Sequence, residues 1–304
     1  MRFFQNTNYD FVAARKVGYV VTAVLLLVAL LSILIRGLQY GIDFKGGTEI
    51  QLRFTSAVEV SEVRRAMDFA GVKAEIKRFG ADTEILVRTD VEMETTALEE
   101  AVMGGLKEIL PDNPATIDRN DVIGPKIAED MKAGAVYAIL GSLLLILAYI
   151  SIRFEFKFAV AAIFATFHDV VVVLGLFSLL YGLFPGLNLE IDQTIIAAFL
   201  TIVGYSLNDT VIVFDRVREF RKIFKGETLE EVINKSVNST LSRTFMTSFT
   251  TMIVMVILYI FGGETTRPFA FAMILGIIIG TYSSIFVASP IVLEWVNRIE
   301  KAKS

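Results

Sequence analysis

Six long apolar stretches punctuate the chain, at roughly 17–35, 133–150, 158–184, 194–214, 244–261 and 269–293. Each approaches or exceeds the about 18 apolar residues that predict a membrane-spanning helix. Between the first and the second the pattern changes. From about 40 to 130 charge is frequent and apolar residues recur at strand and helix periods. Residues 48–54 (TEIQLRF) alternate like a strand. Residues 58–70 carry Val60, Val63, Ala66, Met67 and Ala70 at helical spacing. Residues 73–79 and 84–88 predict two more strands around a Gly80-Ala81-Asp82 turn. Residues 94–110 predict a second helix, stopped by Pro111, and 116–123 a last strand. The order β-α-β-β-α-β is that of a ferredoxin-like split βαβ unit.

The expected fold is therefore a polytopic α-helical membrane protein with six transmembrane helices. A small α+β, ferredoxin-like domain is inserted between helices one and two. The expected divisions are 1–39 for the N-terminus and first span, 40–130 for the small domain, 131–297 for the remaining spans and 298–304 for a tail. Arg15 and Lys16 precede an uncharged stretch too long for a cleavable signal, so the first span reads as an uncleaved signal anchor.

Positive charge sets the expected orientation. Arg15 and Lys16 precede span one. Arg153 and Lys157 lie between spans two and three. Arg216, Arg218, Arg221, Lys222, Lys225 and Lys235 lie between spans four and five. Arg298, Lys301 and Lys303 follow span six. All fall on one side of an alternating six-span chain, which makes that side cytoplasmic. Both termini are then cytoplasmic and the small domain is periplasmic. The 185–193 loop has no Lys or Arg, and 262–268 has only Arg267.

Composition narrows the chemistry. The chain is 54% apolar and has no cysteine and a single histidine. Disulfides, thiolate catalysis and multi-histidine metal sites are excluded. No long basic run with interleaved aromatics suggests nucleic acid, and no P-loop pattern suggests ATP hydrolysis. No cofactor or metal is expected, and the chain reads as a transport component rather than an enzyme. Between Asp43 and Asp130 there are 19 Asp or Glu against 11 Lys or Arg. This mild acidity is either a solvated surface or one that holds extended client chains.

His168, Asp169 and Asp209 are the ionisable groups inside the apolar stretches. Such a group costs at least about 2.5–3.5 kcal/mol at mid-bilayer depth, so it faces a partner, a water path or an ion route. Thr201, Tyr205 and Asp209 share one helix face, flanked by Ser206 and Asn208. Asp209 reads as a carboxylate that binds and releases a proton, or as a structural or snorkelling one. Ser239, Arg243, Thr247 and Thr251 are spaced by four. They read either as a stripe lining a hydrated path with Arg243 opposite Asp209, or as hydroxyls bonding back to helix carbonyls below a positive anchor. His168 and Asp169 point about 100° apart and need not pair. The histidine reads as a proton relay or an interhelical hydrogen bond. Ala272, Gly276, Gly280, Ser284 and Ala288 form a seam of small residues, internal or at a partner.

Several motifs now converge. Gly41-Ile-Asp-Phe-Lys-Gly-Gly-Thr48, with Asp43, Gly46 and Gly47, follows span one, and Val122-Ile-Gly-Pro125 closes the small domain. Phe167-His-Asp-Val170 lies in span three. Gly204-Tyr-Ser-Leu-Asn-Asp-Thr-Val-Ile-Val-Phe-Asp-Arg216 runs through span four, and Asn238-Ser-Thr-Leu-Ser-Arg-Thr244 opens span five. Together they closely resemble the SecF branch of the SecD/SecF family of bacterial protein-export subunits, over essentially the whole chain.

The resemblance implies an RND-like half of six helices in the bacterial cytoplasmic (inner) membrane. It implies pairing with SecD, association with the SecYEG channel and YajC, and contact with exported preproteins and membrane lipids. It further implies use of the proton-motive force late in translocation. The transmembrane polar pair linked to proton use falls at Asp209 and Arg243; Asp169 and His168 are further proton-coupling candidates read from the residues. A small-molecule efflux subunit of the RND class and a non-transporting scaffold are the alternatives weighed from the residues alone.

Overall fold

The computed structural model describes residues 7–91, 93–184, 187–263 and 266–303. The chain forms two compact units. The first comprises Met1–Leu38, Tyr137–Leu179 and Thr194–Ser304, and the second Gln39–Val136 and Leu180–Gln193.

The membrane helices are α1 (Arg15–Arg36), α5 (Pro125–Arg153), α6 (Phe156–Leu180), α7 (Gln193–Ile223), α8 (Leu229–Phe261) and a composite sixth span, Arg267–Ile299. Within their most apolar windows, α6 and the sixth span are each 56% buried, whereas α8 is 11% and α5 6% buried. The first pair therefore forms the centre and the second the flanks. Small residues set the packing. A Cβ on Gly175 of α6 would stand 2.2 Å from Ala29 Cβ of α1. Ser178 beside it accepts from Ser32 at 3.0 Å and donates to the Gly37 carbonyl at 2.8 Å. The small-residue seam of the sixth span is internal. Ala272, Gly276, Gly280, Ser284 and Ala288 are all buried, and a Cβ on Gly276 would meet Ile202 of α7 at 2.4 Å.

The sixth span is α9 (Arg267–Ser283), a π turn (Ser284–Ala288) and α10 (Ser289–Lys303). Pro290 supplies the reason for the π turn: it has no N–H, and its ring crowds the carbonyl one turn back. Ser289 Oγ donates to the Ser284 carbonyl at 2.9 Å. The charged segment between spans four and five is not a loose loop. α7 and α8 both extend beyond their apolar stretches, and Thr228 caps α8 with a reciprocal bond to Glu231. On α8, Asn234 and Asn238 accept from the backbone N–H groups of Phe11 and Tyr9 at 2.8 and 2.9 Å. Asn238 also donates to the Tyr9 carbonyl.

The second unit has the predicted element order. Strands β1 (Gly47–Phe54), β2 (Glu75–Arg78), β3 (Glu84–Thr89) and β4 (Ala115–Ile123) lie in the order β2-β3-β1-β4, all antiparallel. Helices α3 (Val60–Phe69) and α4 (Thr95–Ile109) pack on one face over Ile50, Leu52, Met67, Ile85, Val87 and Leu98. One turn, α2 (Ile42–Lys45), precedes β1. Gly46 ends it at φ 75°, and Gly47 follows at φ 112°, where a Cβ would lie 2.6 Å from the Thr89 carbonyl oxygen. Residues 187–193 also belong to this unit. Tyr40 and Ile191 form a parallel bridge, Ile191 N donates to Gln39 O at 2.7 Å, and Gly41 N to Ile191 O at 2.9 Å.

Candidate functional site

Asp169 sits at the meeting of three helices and is fully buried. Its Oδ2 accepts from Ser206 of α7 and, at 2.7 Å, from Ser283 of α9. Its Oδ1 lies 2.9 Å from His168 Nδ1. The two neighbours on α6 do pair, although adjacent helix positions diverge by about 100°. His168 Nε2 is buried and has no hydrogen-bond partner among the described residues. Small residues allow this convergence: Ala161 and Ala165 precede Asp169 on its stripe, and Gly280 lies against Ser206.

Asp209, on α7, is 1% exposed, and among the described residues neither carboxylate oxygen finds a hydrogen bond of ordinary geometry. The groups that act on it come from α8: the Ser248 hydroxyl, and at longer range the Arg243 guanidinium. Ser248 also shares a hydrogen bond of 2.8 Å with Thr281. The Tyr205 hydroxyl, one turn before Asp209, is buried and has no partner among the described residues, and the same holds for Thr244 Oγ1 on α8. Thr201 and Asn208 are exposed, so they stand outside this centre.

The polar stripe of α8 differs from the one expected. Ser236, Thr240, Thr244 and Ser248 are buried at four-residue spacing. The expected stripe is offset by one residue, about 100° around the helix, with Ser239 and Arg243 exposed and Thr247 and Thr251 half-buried. Ser239, Thr247 and Thr251 donate to carbonyls of their own helix. Arg243 is exposed and makes no ion pair with Asp209 within 4 Å. Asp209 is covered by the chain's own helices, so its burial does not require a second subunit.

The motif after α1 is an anchor for the start of α7. Asp43 Oδ2 accepts from Gln193 N at 2.8 Å, satisfying one of the free N–H groups there. Gly41 lies against Asp192, where a Cβ would stand 3.2 Å from Asp192 Cβ. Nearby in the same unit is a buried ion cluster. Arg88 of β3 holds Glu190 by two bonds, of 3.0 and 2.7 Å, and also binds Glu49 of β1. Lys77 of β2 binds Glu190 as well and lies over the Tyr181 ring. Burial pushes the Glu190 carboxyl up. Hydrogen bonding and charge from Arg88, then Lys77, outweigh this and bring it down to about 2. Glu49 is instead raised, because its burial outweighs the same Arg88.

Residues 106–298 match the family described as protein export membrane protein SecD/SecF, C-terminal, and residues 31–58 match the SecD/SecF GG motif. The chain belongs to the SecD/SecF family. It is 52% identical to the protein translocase subunit SecF of Rhodothermus marinus, over 97% of this chain and 95% of that protein. It is 44% identical to the SecF of Thermodesulfovibrio yellowstonii, over 94% of each. Among solved structures, SecDF of Thermus thermophilus, a translocon-associated membrane protein, superposes with a TM-score of 0.86 at 38% identity. The match covers 98% of this chain and 40% of that one, so this chain spans about two fifths of the SecDF polypeptide. Both the relatives and the six spans make it a multi-pass membrane protein. The SecD/SecF GG motif covers the end of α1, α2 and β1, and therefore contains the Asp43 anchor together with Gly46 and Gly47.

Proposed function

We propose that this chain is the SecF-type partner of a SecD subunit in the bacterial inner membrane. There it promotes late steps of preprotein export through SecYEG, with YajC in the same assembly, driven by the proton-motive force. Both termini are cytoplasmic and the α+β domain is periplasmic in this reading, which the Lys and Arg distribution supports. The centre of the mechanism is Asp209, with Arg243 as its electrostatic partner and the His168–Asp169 pair beside it as a structured proton acceptor.

The observation that carries this reading is the state of Asp209. A carboxylate buried with no well-aligned donor costs several kcal/mol if ionised. As it works, the group must therefore exchange a proton or gain a partner. Arg243 is such a partner in waiting: it already acts on Asp209 at a distance, and a shift of α8 against α7 would bring it closer. One charge crossing 100 mV is worth about 2.3 kcal/mol, enough to bias a two-state equilibrium substantially.

The test is export of a reporter preprotein by complexes containing Asp209→Asn or Arg243→Met, with and without an uncoupler. Both variants are expected to assemble with SecD and to lose the uncoupler-sensitive part of export. Full uncoupler-sensitive export by Asp209→Asn would overturn the role of Asp209.

A further inference from the structure

At one end of the bundle, α5, α6 and α7 enclose a concavity of about 540 Å³. Four cations line it: Arg153, Arg218, Arg221 and Lys222. Its floor is apolar, made by the buried rings of Phe154 and Phe158. The one acid in the lining, Glu155, already accepts from Lys157 at 2.6 Å. Arg153 pairs with Asp215 at 3.2 Å, and Arg218 donates to the Arg153 carbonyl at the end of α5. Arg221 and Lys222 have no ion pair within 4 Å among the described residues. Glu155, held low mainly by Lys157, also feels Arg221 and Arg218, so the concavity carries four cations against one acid that already has a partner.

The level of the site matters. The apolar run of α5 ends at Arg153, and α6 begins at Phe156. The apolar stretch of α7 closes at Phe214, just before Asp215. This is the boundary between hydrocarbon and water, where lipid phosphates lie. On α5, Leu145, Tyr149 and Ile152 are exposed at i, i+4 and i+7, an apolar track that ends beside Arg153. A free phosphate would use the cations alone. A phospholipid would use both cations and track.

We propose that this concavity is a binding site for an anionic phospholipid. Its phosphodiester lies among Arg218, Arg221 and Lys222, and an acyl chain follows the α5 track. The floor of Phe154 and Phe158 excludes water from the ion pairs, which strengthens them. Arg is suited to this contact because its planar fork meets two phosphate oxygens at once.

The full chain, purified with its partner subunit in mild detergent, is titrated with phosphatidylglycerol, with phosphatidylcholine and with inorganic phosphate. Bound lipid is counted by native mass spectrometry. One phosphatidylglycerol is expected to be retained in preference to phosphatidylcholine. Arg221→Gln with Lys222→Gln is expected to weaken it at least about tenfold, since each cation at a membrane surface contributes on the order of a factor of five. The exchange Arg221→Lys with Lys222→Arg keeps the charge and is expected to retain binding. Lys16→Gln with Arg298→Gln removes two exposed cations elsewhere and is expected to leave it unchanged. Equal weakening by both neutralising pairs would mean diffuse surface charge and overturn the site. So would inorganic phosphate competing at the concentration of the lipid, or no preference over phosphatidylcholine.

Discussion

Asp43 and Gln193 are joined by a hydrogen bond of 2.8 Å from the first backbone N–H of α7 to the Asp43 carboxylate. A residue of the GG motif thereby fixes where the helix that carries Asp209 begins. Asp43→Ala should cost about 1 kcal/mol, the usual value of a lost helix cap. Asp43→Asn keeps an acceptor oxygen and should cost only a few tenths. Thermal unfolding of the purified protein compares the two, and equal losses would show that the bond contributes nothing specific.

The Glu190 cluster gives a pH dependence of defined sign. Its carboxyl lies near 2 when folded, below its ordinary value of 4.5. The folded state therefore prefers the ionised form. The stabilisation is complete above about pH 4.5 and is lost as the pH falls from there toward 2. Glu190→Gln should flatten the stability profile across that window. Arg88→Met should destabilise far more, by about 3–5 kcal/mol, because it leaves a buried carboxylate without its main partner. Unfolding midpoints measured between pH 2 and 6 read both effects.

Ser206 and Ser283 donate to the same oxygen of Asp169. Replacing either by Ala should cost about 1–3 kcal/mol, because it leaves a buried oxygen short of a hydrogen-bond partner. The two losses should not add, since both act on one atom. Ser284→Ala is the control, because that hydroxyl bonds only to the Thr281 carbonyl of its own helix. A double-mutant cycle on detergent-solubilised protein, with no coupling between Ser206 and Ser283, would remove Asp169 as their shared acceptor.

Gly276 faces Ile202 at a distance that leaves no room for a Cβ. Gly276→Ala should destabilise by about 1–3 kcal/mol through overpacking. Trimming the neighbour, Ile202→Val, should recover part of this in the double variant. Retained stability in Gly276→Ala alone would mean that α7 and α9 can separate at no cost.

The spans and the ferredoxin-like order were legible because both rest on periodicity. Apolar runs of membrane length and the alternation of 48–54 are local signals. The Asp169 centre was half legible. An acid in an apolar helix is conspicuous, but Ser206 and Ser283 look ordinary until α7 and α9 bring them together. The α8 stripe misled because Ser239, Arg243, Thr247 and Thr251 have the same spacing as Ser236, Thr240, Thr244 and Ser248. Periodicity alone cannot say which of two offset stripes faces inward. The Glu190 cluster was invisible for another reason. Its cations lie on β2 and β3 and its acid on a distant loop, so no sequence window contains it. The one hint was a pair of acids, Glu190 and Asp192, in a loop without Lys or Arg.

The asparagine clamp on the N-terminal segment sets an order in time. Tyr9 and Asn238 are 229 positions apart. A ribosome adds about 5–20 residues per second, so the first residues wait roughly 11–46 seconds before α8 exists to receive them. During that interval α1 is already in the bilayer, while Tyr9 and Phe11 have only water, lipid or another protein to bond. Closing the clamp is thus among the last events in the life of the nascent chain, and it marks a molecule whose fifth span has arrived.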